Sequence, residues 1–188
     1  MRLFVGIPLA DAVVCELASV VERLRNKPAH ASDALRWTEP ESWHITLQFL
    51  GNATAEQLEC LKARLGEVRT EAAPVQLGQL ACFDRAGVLF ADVAVTPQLA
   101  ALQHRVVTAT ARCGFVAEER PFHPHITLAR VKGQGRGTDL RKMVQTAGAQ
   151  PPFTQFPAQE FVLYESQTDP AGAKYEVRQR FPLTDPRG

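Results

Sequence analysis

The sequence predicts an α+β protein in which strands and helices alternate along 188 residues. Apolar residues recur at helical spacing in some segments and alternate with polar residues in others, and turns rich in Gly or Pro separate these segments. No linker or change of composition divides the chain. We therefore expect a single domain over residues 1–188, built as two interleaved, pseudo-symmetric lobes of mainly antiparallel sheet, with outer helices and a cleft between the lobes.

The elements are expected in a regular order. The first half predicts a strand over 3–7, a helix over 13–24, a short strand over 35–38, a strand over 44–50 and a helix that begins at the capping box Thr54–Gln57. The second half predicts paired strands over 75–83 and 88–95, a helix that begins at Pro97, a strand over 125–131, a helix over 140–147 and strands over 161–165 and 175–183. The glycine-rich segment 133–137 is expected to be a mobile loop, because it lacks the Gly-Lys-Ser/Thr ending of a phosphate-binding P-loop.

The composition excludes several classes of protein. Lys and Arg number 21 against 20 Asp and Glu, so the net charge of +1 is too small for a protein that coats long nucleic acid. No apolar run approaches the roughly 18 residues of a membrane span. The four cysteines show no CxxC pair, and we expect buried, reduced thiols. Together these features predict a cytoplasmic protein.

One four-residue word, His-Ile-Thr-Leu, occurs twice, at 44–47 and at 125–128. A single copy would be interpreted as an ordinary solvated strand face, but duplication favours two related lobes with equivalent strands. Alternation along each strand places His and Thr on one face and Ile and Leu on the other. Each copy therefore aims an imidazole and a hydroxyl at a common space.

Two opposed histidines suit an in-line displacement at phosphorus. Water attacks from one side while the alkoxide leaves from the other, so a base and an acid are needed on opposite faces. Histidine titrates near neutral pH and serves either role. The hydroxyls of Thr46 and Thr127 can donate to the non-bridging oxygens of a phosphate. This arrangement requires no cofactor and no metal.

These residues resemble the two-histidine (2H) phosphoesterases, and among them the RNA 2′,3′-cyclic phosphodiesterases, also called 2′-5′ RNA ligases. The resemblance rests on the paired HxTx motifs within 43–51 and 122–130, and it extends to segments 2–7, 163–166 and 175–177. It implies hydrolysis of RNA 2′,3′-cyclic phosphate ends to 2′-phosphomonoesters, with possible 2′-5′ RNA ligation. It also implies that His44 is the proton donor and His125 the proton acceptor, whereas the nearly symmetric repeat alone permits either assignment. The expected partners are RNA ends or cyclic nucleotides of tRNA origin, and the expected state is a monomer.

Arg130 follows the second motif and looks like an arginine that this family places near its substrate. Strict alternation, however, points Arg130 away from His125 and Thr127, so either a β-bulge re-aims it, or it lies at the cleft rim, or it is an ordinary surface arginine. The same rule puts Gln48 on the face of His44 and turns Phe49 to the opposite face. Five aromatic residues are candidates to stack a base: Trp37, Phe49, Phe83, Phe122 and Tyr164.

Three alternatives stay open at this point. His123 shares the parity of His125, so these two and His44 could be the ligands of a zinc ion, although a zinc site would need no paired threonines. A non-catalytic protein that binds RNA ends would use the same cleft. A phosphodiesterase with the cyclic phosphate of ADP-ribose as its substrate would use the same mechanism. His30 and His104 have no partners and are expected at the surface or on a helix.

Overall fold

Two four-stranded antiparallel sheets form the centre of the molecule. The computed structural model describes residues 1–26, 34–133, 140–169 and 172–183, with the backbone alone for 168–169 and 172–173. The strands are β1 (Arg2–Pro8), β2 (Leu35–Trp37), β3 (His44–Asn52), β4 (Ala73–Val75), β5 (Leu77–Phe83), β6 (Val88–Val93), β7 (His125–Val131), β8 (Phe156–Ala158), β9 (Glu160–Asp169) and β10 (Gly172–Pro182). The helices are α1 (Asp11–Arg25), α2 (Ala55–Leu65), α3 (Pro97–Ala111) and α4 (Leu140–Ala147).

The chain weaves between the two sheets. The first sheet has the strand order β10-β9-β1-β3 and the second β2-β7-β6-β5, while β4 and β8 form a separate two-stranded pair. Because β2 lies between β1 and β3 in the sequence but belongs to the other sheet, the lobes are interleaved. Strands β3 and β7 contact each other where the sheets meet. The α+β class with two related lobes is therefore confirmed.

Helix boundaries follow local chemistry. At the start of α2 the Thr54 hydroxyl accepts from the Gln57 amide, and the Gln57 side chain accepts from the Thr54 amide, so the predicted capping box is present. At the start of α3 the Thr96 hydroxyl accepts from Leu99, and Pro97 occupies the first turn, where no backbone donor is needed. Both helices bury leucine side chains in the hydrophobic core: Leu58, Leu61 and Leu65 of α2, and Leu99 and Leu102 of α3.

The strand predicted over 75–83 is two strands. The chain leaves β4 at Gln76 and enters the second sheet as β5, and the Gln76 side chain donates to the carbonyls of Leu77 and Phe153 at this crossing. Strand β4 pairs with β8, which the sequence pattern did not predict. A three-residue strand that contains Pro157 gives too short an alternation to be recognised.

The expectation of four buried, reduced cysteines is wrong. Cys60 in α2 and Cys113 just after α3 form a disulfide with Cα atoms 5.8 Å apart. The two helices pack side by side, and the Gln57 side chain also donates to the Cys113 carbonyl. A separation of 53 residues hid this pairing in the sequence. Cys15 is exposed and Cys82 is half-buried, and neither takes part in a disulfide.

No helix among the described residues is long and apolar enough to cross a membrane.

Candidate active site

Strands β3 and β7 bring the two copies of the repeated word to one cleft. The cleft has a volume of about 730 Å³, and its lining includes His44, Thr46, His125 and Thr127. In both copies the Ile is fully buried on the opposite face: Ile45 and Ile126 are each 0% exposed. The sequence pattern therefore placed these four cleft residues correctly.

A β-bulge interrupts each of the two strands at the same position of the word. In β3, Thr46 pairs with Gly6 and Gln48 with Val5, so Leu47 is the extra residue. In β7, Thr127 pairs with Phe90 and Ala129 with Leu89, so Leu128 is extra. After such an extra residue the alternation of faces resumes out of phase.

The two bulges decide which side chain follows His and Thr into the cleft. Leu47 and Gln48 are both buried, and the next residue, Phe49, is 53% exposed and lines the cleft. In β7 both Leu128 and Ala129 are buried, and Arg130 is exposed in the cleft. The prediction from strict alternation for Gln48 and Phe49 is therefore wrong, and Arg130 lies on the face of His125.

Each histidine is held through the same ring nitrogen. Nδ1 of His44 donates to the Ser42 carbonyl at 2.8 Å, and Nδ1 of His125 donates to the His123 carbonyl at 2.8 Å. Because a carbonyl only accepts, each Nδ1 carries a hydrogen. Nε2 of each ring is then left for the cleft, where it accepts a proton when neutral and donates one when protonated.

Aromatic rings enclose His44. Its ring centroid lies 4.6 Å from that of Phe4 and 5.0 Å from that of Tyr175, which meets it edge-on. Burial lowers the pKa of His44 to about 4, with a further lowering from His125, while the hydrogen bond to Ser42 opposes the shift. The neutral imidazole is therefore the stable form of His44 at neutral pH.

His125 has both aromatic rings and charged groups as neighbours. Burial is the main cause that lowers its pKa, and the charges of His123 and Arg130 add to this lowering. The hydrogen bond to the His123 carbonyl and the carboxylate of Asp92 act in the opposite direction. His44 thus owes its low pKa mainly to an aromatic wall, whereas His125 also responds to neighbouring charges.

Two tyrosines beside His44 keep their protons. Burial raises the pKa of Tyr164 to about 12 and also raises the pKa of Tyr175. Tyr164 stacks on Phe4 with centroids 4.9 Å apart, and Tyr175 lines the cleft. Both therefore act as neutral rings and hydroxyl donors at neutral pH.

The five aromatic candidates differ in position. Phe49 and Trp37 line the cleft, and Phe49 is the more open of the two. Phe83 stacks on Phe90 with ring centroids 4.2 Å apart and meets the His125 ring edge-on, so it packs against the imidazole and does not line the cleft. Phe122 and Tyr164 are half-buried and do not line the cleft.

Sequence reasoning missed the roles of Phe4 and Tyr175. Both residues lie in segments that the family resemblance included, but nothing in their local pattern pointed to a histidine. Their contact with His44 depends on the strand order β10-β9-β1-β3, in which Phe4 lies on β1 next to β3, and Tyr175 lies on β10, separated from β1 by β9. Only the sheet register brings these rings together.

The alternative three-histidine metal site is not assembled among the described residues. The Nε2 of His123 lies 3.0 Å from a carboxylate oxygen of Asp92, and the His123 ring stands 6.1 Å from that of His125. In the part of the chain that the structure describes, no group of three or more His, Cys, Asp or Glu is arranged to hold a metal ion. His104 is exposed on α3, as expected. His30 and residues 134–137 of the predicted loop lie outside the described residues.

Comparison with known proteins identifies relatives of this chain. A model of the 2′-5′ RNA ligase superfamily matches residues 13–170. The chain belongs to this superfamily. An RNA 2′,3′-cyclic phosphodiesterase of Bacillus subtilis is 30% identical over 132 residues, which cover 68% of this chain and 69% of that protein. Another from Aeropyrum pernix is 32% identical over 130 residues, with coverage of 67% and 74%.

Solved structures of the superfamily share the fold. The crystal structure of Escherichia coli LigT complexed with 3′-AMP superposes on this chain with a TM-score of 0.77, at 26% identity and with 98% of each chain covered. The resemblance inferred from the paired motifs is thus confirmed.

Proposed function

We propose that the protein hydrolyses RNA 2′,3′-cyclic phosphate ends to 2′-phosphomonoesters by metal-independent two-histidine catalysis. One observation carries the proposal: two histidines, each held through Nδ1, present Nε2 to one cleft from two equivalent strands. The relatives named RNA 2′,3′-cyclic phosphodiesterase support the substrate class.

In this mechanism His125 takes a proton from water through Nε2 while the new bond to phosphorus forms. The bond from phosphorus to the 3′ oxygen breaks on the opposite side, and His44 delivers a proton from Nε2 to that oxygen. Because burial lowers the pKa of His44 to about 4, its ring takes up this proton from water when the anionic phosphate binds. An anionic phosphate beside the ring favours the imidazolium and raises its pKa.

Thr46, Thr127 and Arg130 bind the phosphate in this proposal. The two hydroxyls lie on the strand faces of the histidines and line the cleft, so they can donate to non-bridging oxygens. The bulge at Leu128 supports the role of Arg130, because it turns the guanidinium to the cleft side. A planar guanidinium matches two phosphate oxygens at once.

Phe49 is the best-placed residue to stack the terminal base. It is a large apolar side chain that is 53% exposed, and it follows Thr46 on the cleft face. Stacking on an aromatic ring is a general way to hold an unpaired base of RNA. This favours a nucleotide end over the cyclic phosphate of ADP-ribose, whose reacting ribose carries no base.

The test is turnover of a short RNA with a 2′,3′-cyclic phosphate end in excess EDTA. We expect full activity and a product with a 2′-phosphate and a free 3′ hydroxyl, identified by phosphorus NMR. Binding without turnover would support the non-catalytic alternative. Activity that vanishes with EDTA and returns with zinc would refute the metal-independent mechanism, and a 3′-phosphate product would exchange the roles of His44 and His125.

The proposal leaves the cellular setting to separate tests. A tRNA origin of the substrate, a ligation activity, a monomeric state and a cytoplasmic location stay predictions from the sequence. The disulfide between Cys60 and Cys113 removes the argument for a cytoplasmic location that rested on free thiols.

A further inference from the structure

Two arginines face each other across neighbouring strands at the mouth of the cleft. Arg36 of the edge strand β2 pairs directly with Arg130 of β7, and both line the cleft. Directly paired residues lie on the same face of a sheet, with Cβ atoms about 5 Å apart. Like charges in this position destabilise the sheet unless something compensates them.

No side chain of the described residues neutralises this pair. Neither Arg36 nor Arg130 has a carboxylate within ion-pair distance in the part of the chain that the structure describes. Glu39 also lines the cleft, but it pairs with Arg25 at 3.6 Å. Two adjacent cations that no described carboxylate neutralises form a site that an anion would stabilise.

Arg36 lies farther from the two histidines, and so from the reacting phosphate, than Arg130 does. His125 and Thr127 lie at the start of β7, Arg130 follows beyond the bulge, and Arg36 lies one strand farther out at the sheet edge. The cations thus lead from the histidines toward the open edge of the second sheet. Phe49 lies on the other wall of the cleft, on β3 of the first sheet.

We propose that Arg36 binds a second phosphate of the substrate, the one on the 5′ oxygen of the ribose that carries the cyclic phosphate. This inference rests on the proposed function and sharpens its substrate class. The substrate is then an RNA end of two or more nucleotides, rather than a free cyclic mononucleoside. Arg130 binds the reacting phosphate, Arg36 binds the preceding phosphodiester, and Phe49 holds the base between the two sheets.

The experiment compares adenosine 2′,3′-cyclic phosphate with its 5′-phosphorylated form and with an ApA dinucleotide that ends in a cyclic phosphate. For the unmodified protein we expect the 5′-phosphate to raise kcat/KM about tenfold, mainly through KM, the effect of one good charged contact. The dinucleotide should show at least the same gain. The cyclic phosphate of ADP-ribose also carries a phosphate on the 5′ oxygen of its reacting ribose. We expect its kcat/KM to be lower than that of the dinucleotide, because this ribose lacks a base.

Arg36→Gln should abolish this gain, so that the ratio of kcat/KM with and without the 5′-phosphate falls from about ten to about one. Two matched variants serve as controls. Arg2→Gln removes a cleft arginine from the opposite sheet, and Arg64→Gln removes an arginine from α2, outside the cleft. Both should keep the ratio. The salt dependence of kcat/KM for the 5′-phosphorylated substrate should also become shallower in Arg36→Gln alone.

The outcomes separate this inference from the proposed function. If cyclic substrates turn over but the 5′-phosphate gives no gain, or if Arg2→Gln rather than Arg36→Gln removes the gain, the assignment of Arg36 is wrong and the phosphodiesterase stands. If kcat/KM is higher for the ADP-ribose substrate than for the dinucleotide, the site binds a second phosphate but that phosphate does not belong to RNA. If no cyclic substrate turns over in the folded protein, the proposed function fails.

Discussion

The strands β3 and β7 carry the same word and the same bulge but build different halves of the cleft. Both fix their histidine through Nδ1 on a carbonyl two residues earlier, and both place Leu at the bulge. They differ at the residue that each bulge turns into the cleft, which is Phe49 in one copy and Arg130 in the other. The shared histidines can supply a general acid and a general base. The residues that differ can divide substrate recognition, with Phe49 contacting the nucleobase and Arg130 contacting the phosphate.

The surroundings of the two histidines extend this difference. His44 lies against Phe4 and Tyr175 and has a pKa lowered to about 4 by burial. His125 has Phe83 at 5.2 Å but also senses Arg130 and Asp92. A repeated motif can therefore give two groups of the same type whose proton affinities are set by different surroundings.

The largest effect is expected from the histidines themselves. His44→Ala and His125→Ala should each lower kcat by roughly 10²-fold or more, because each removes one acid or base. His104→Ala, on the exposed face of α3, is the matched control and should keep full activity. Steady-state kinetics on a cyclic-ended RNA, with circular dichroism to check folding, measures this. Near-normal kcat in either folded cleft variant would disprove the two-histidine mechanism.

The next effect separates the residues that follow the two bulges. Arg130→Ala should lower kcat by about 10²-fold on every cyclic phosphate, since it removes charge stabilisation at the reacting group. Phe49→Ala should instead raise KM about tenfold, and only for substrates with a base, because stacking on an aromatic ring contributes about 1–3 kcal/mol per base.

A cyclic phosphate of a sugar without a base distinguishes the two variants. We expect Phe49→Ala to act on this substrate like the unmodified protein and Arg130→Ala to remain impaired. If Phe49→Ala and Arg130→Ala lose equal factors of kcat/KM on both substrates, Phe49 does not recognise the nucleobase separately from the recognition of phosphate by Arg130.

The sequence predicted the shared part of the site. In the part that differs it named Phe49 and Arg130 as candidates, but strict alternation pointed both away from the cleft. The positions of His44, Thr46, His125 and Thr127 followed from alternation, because they precede the bulges. Phe49 and Gln48 were assigned to the wrong faces, since an extra residue in a strand leaves no mark in a pattern of period two. Most strands and helices were predicted because their periodicity is local. The pairing of β4 with β8 and the disulfide depend on contacts between distant segments, which one sequence does not encode as a pattern.

The pH dependence should also reflect the two surroundings. Because burial lowers the pKa of both His44 and His125 from 6.5, both limbs of the bell-shaped profile of kcat/KM should lie below pH 6.5. Tyr175→Ser would admit water to His44, raise its pKa and move one limb upward. Phe83→Leu is the matched change beside His125 and should move the other limb.

Stability must be followed in the same range of pH. His44 takes up its proton at about pH 4 in the folded protein and near 6.5 in the unfolded chain, so the unfolded chain binds more protons between these values. The free energy of unfolding should therefore fall as the pH is lowered from 6.5 toward 4. Imidazole NMR titration of the folded protein would check the two pKa values directly, and a limb above pH 6.5 would contradict them.

The smallest effect is expected at Gln48, whose substitution tests whether its side chain maintains the bulge at Leu47 in β3. Gln48 is buried behind it and accepts a hydrogen bond from the Thr110 hydroxyl of α3 at 2.7 Å, whereas the second copy has Ala129 at the same place. Gln48→Ala makes the first copy resemble the second. Since β7 forms its bulge with Ala129, we expect β3 to keep its bulge and Phe49 to stay in the cleft, so kcat/KM should change less than about threefold.

The free energy of unfolding in urea should fall by about 1 kcal/mol in Gln48→Ala, the usual net contribution of one hydrogen bond, and packing loss adds to this. Thr110→Val removes the same hydrogen bond from the other side, and the double variant should lose less than the sum of the two. A KM for base-containing substrates that rises in Gln48→Ala as far as in Phe49→Ala would contradict this expectation. It would mean that the bond between Gln48 and Thr110, rather than the strand itself, turns Phe49 toward the substrate.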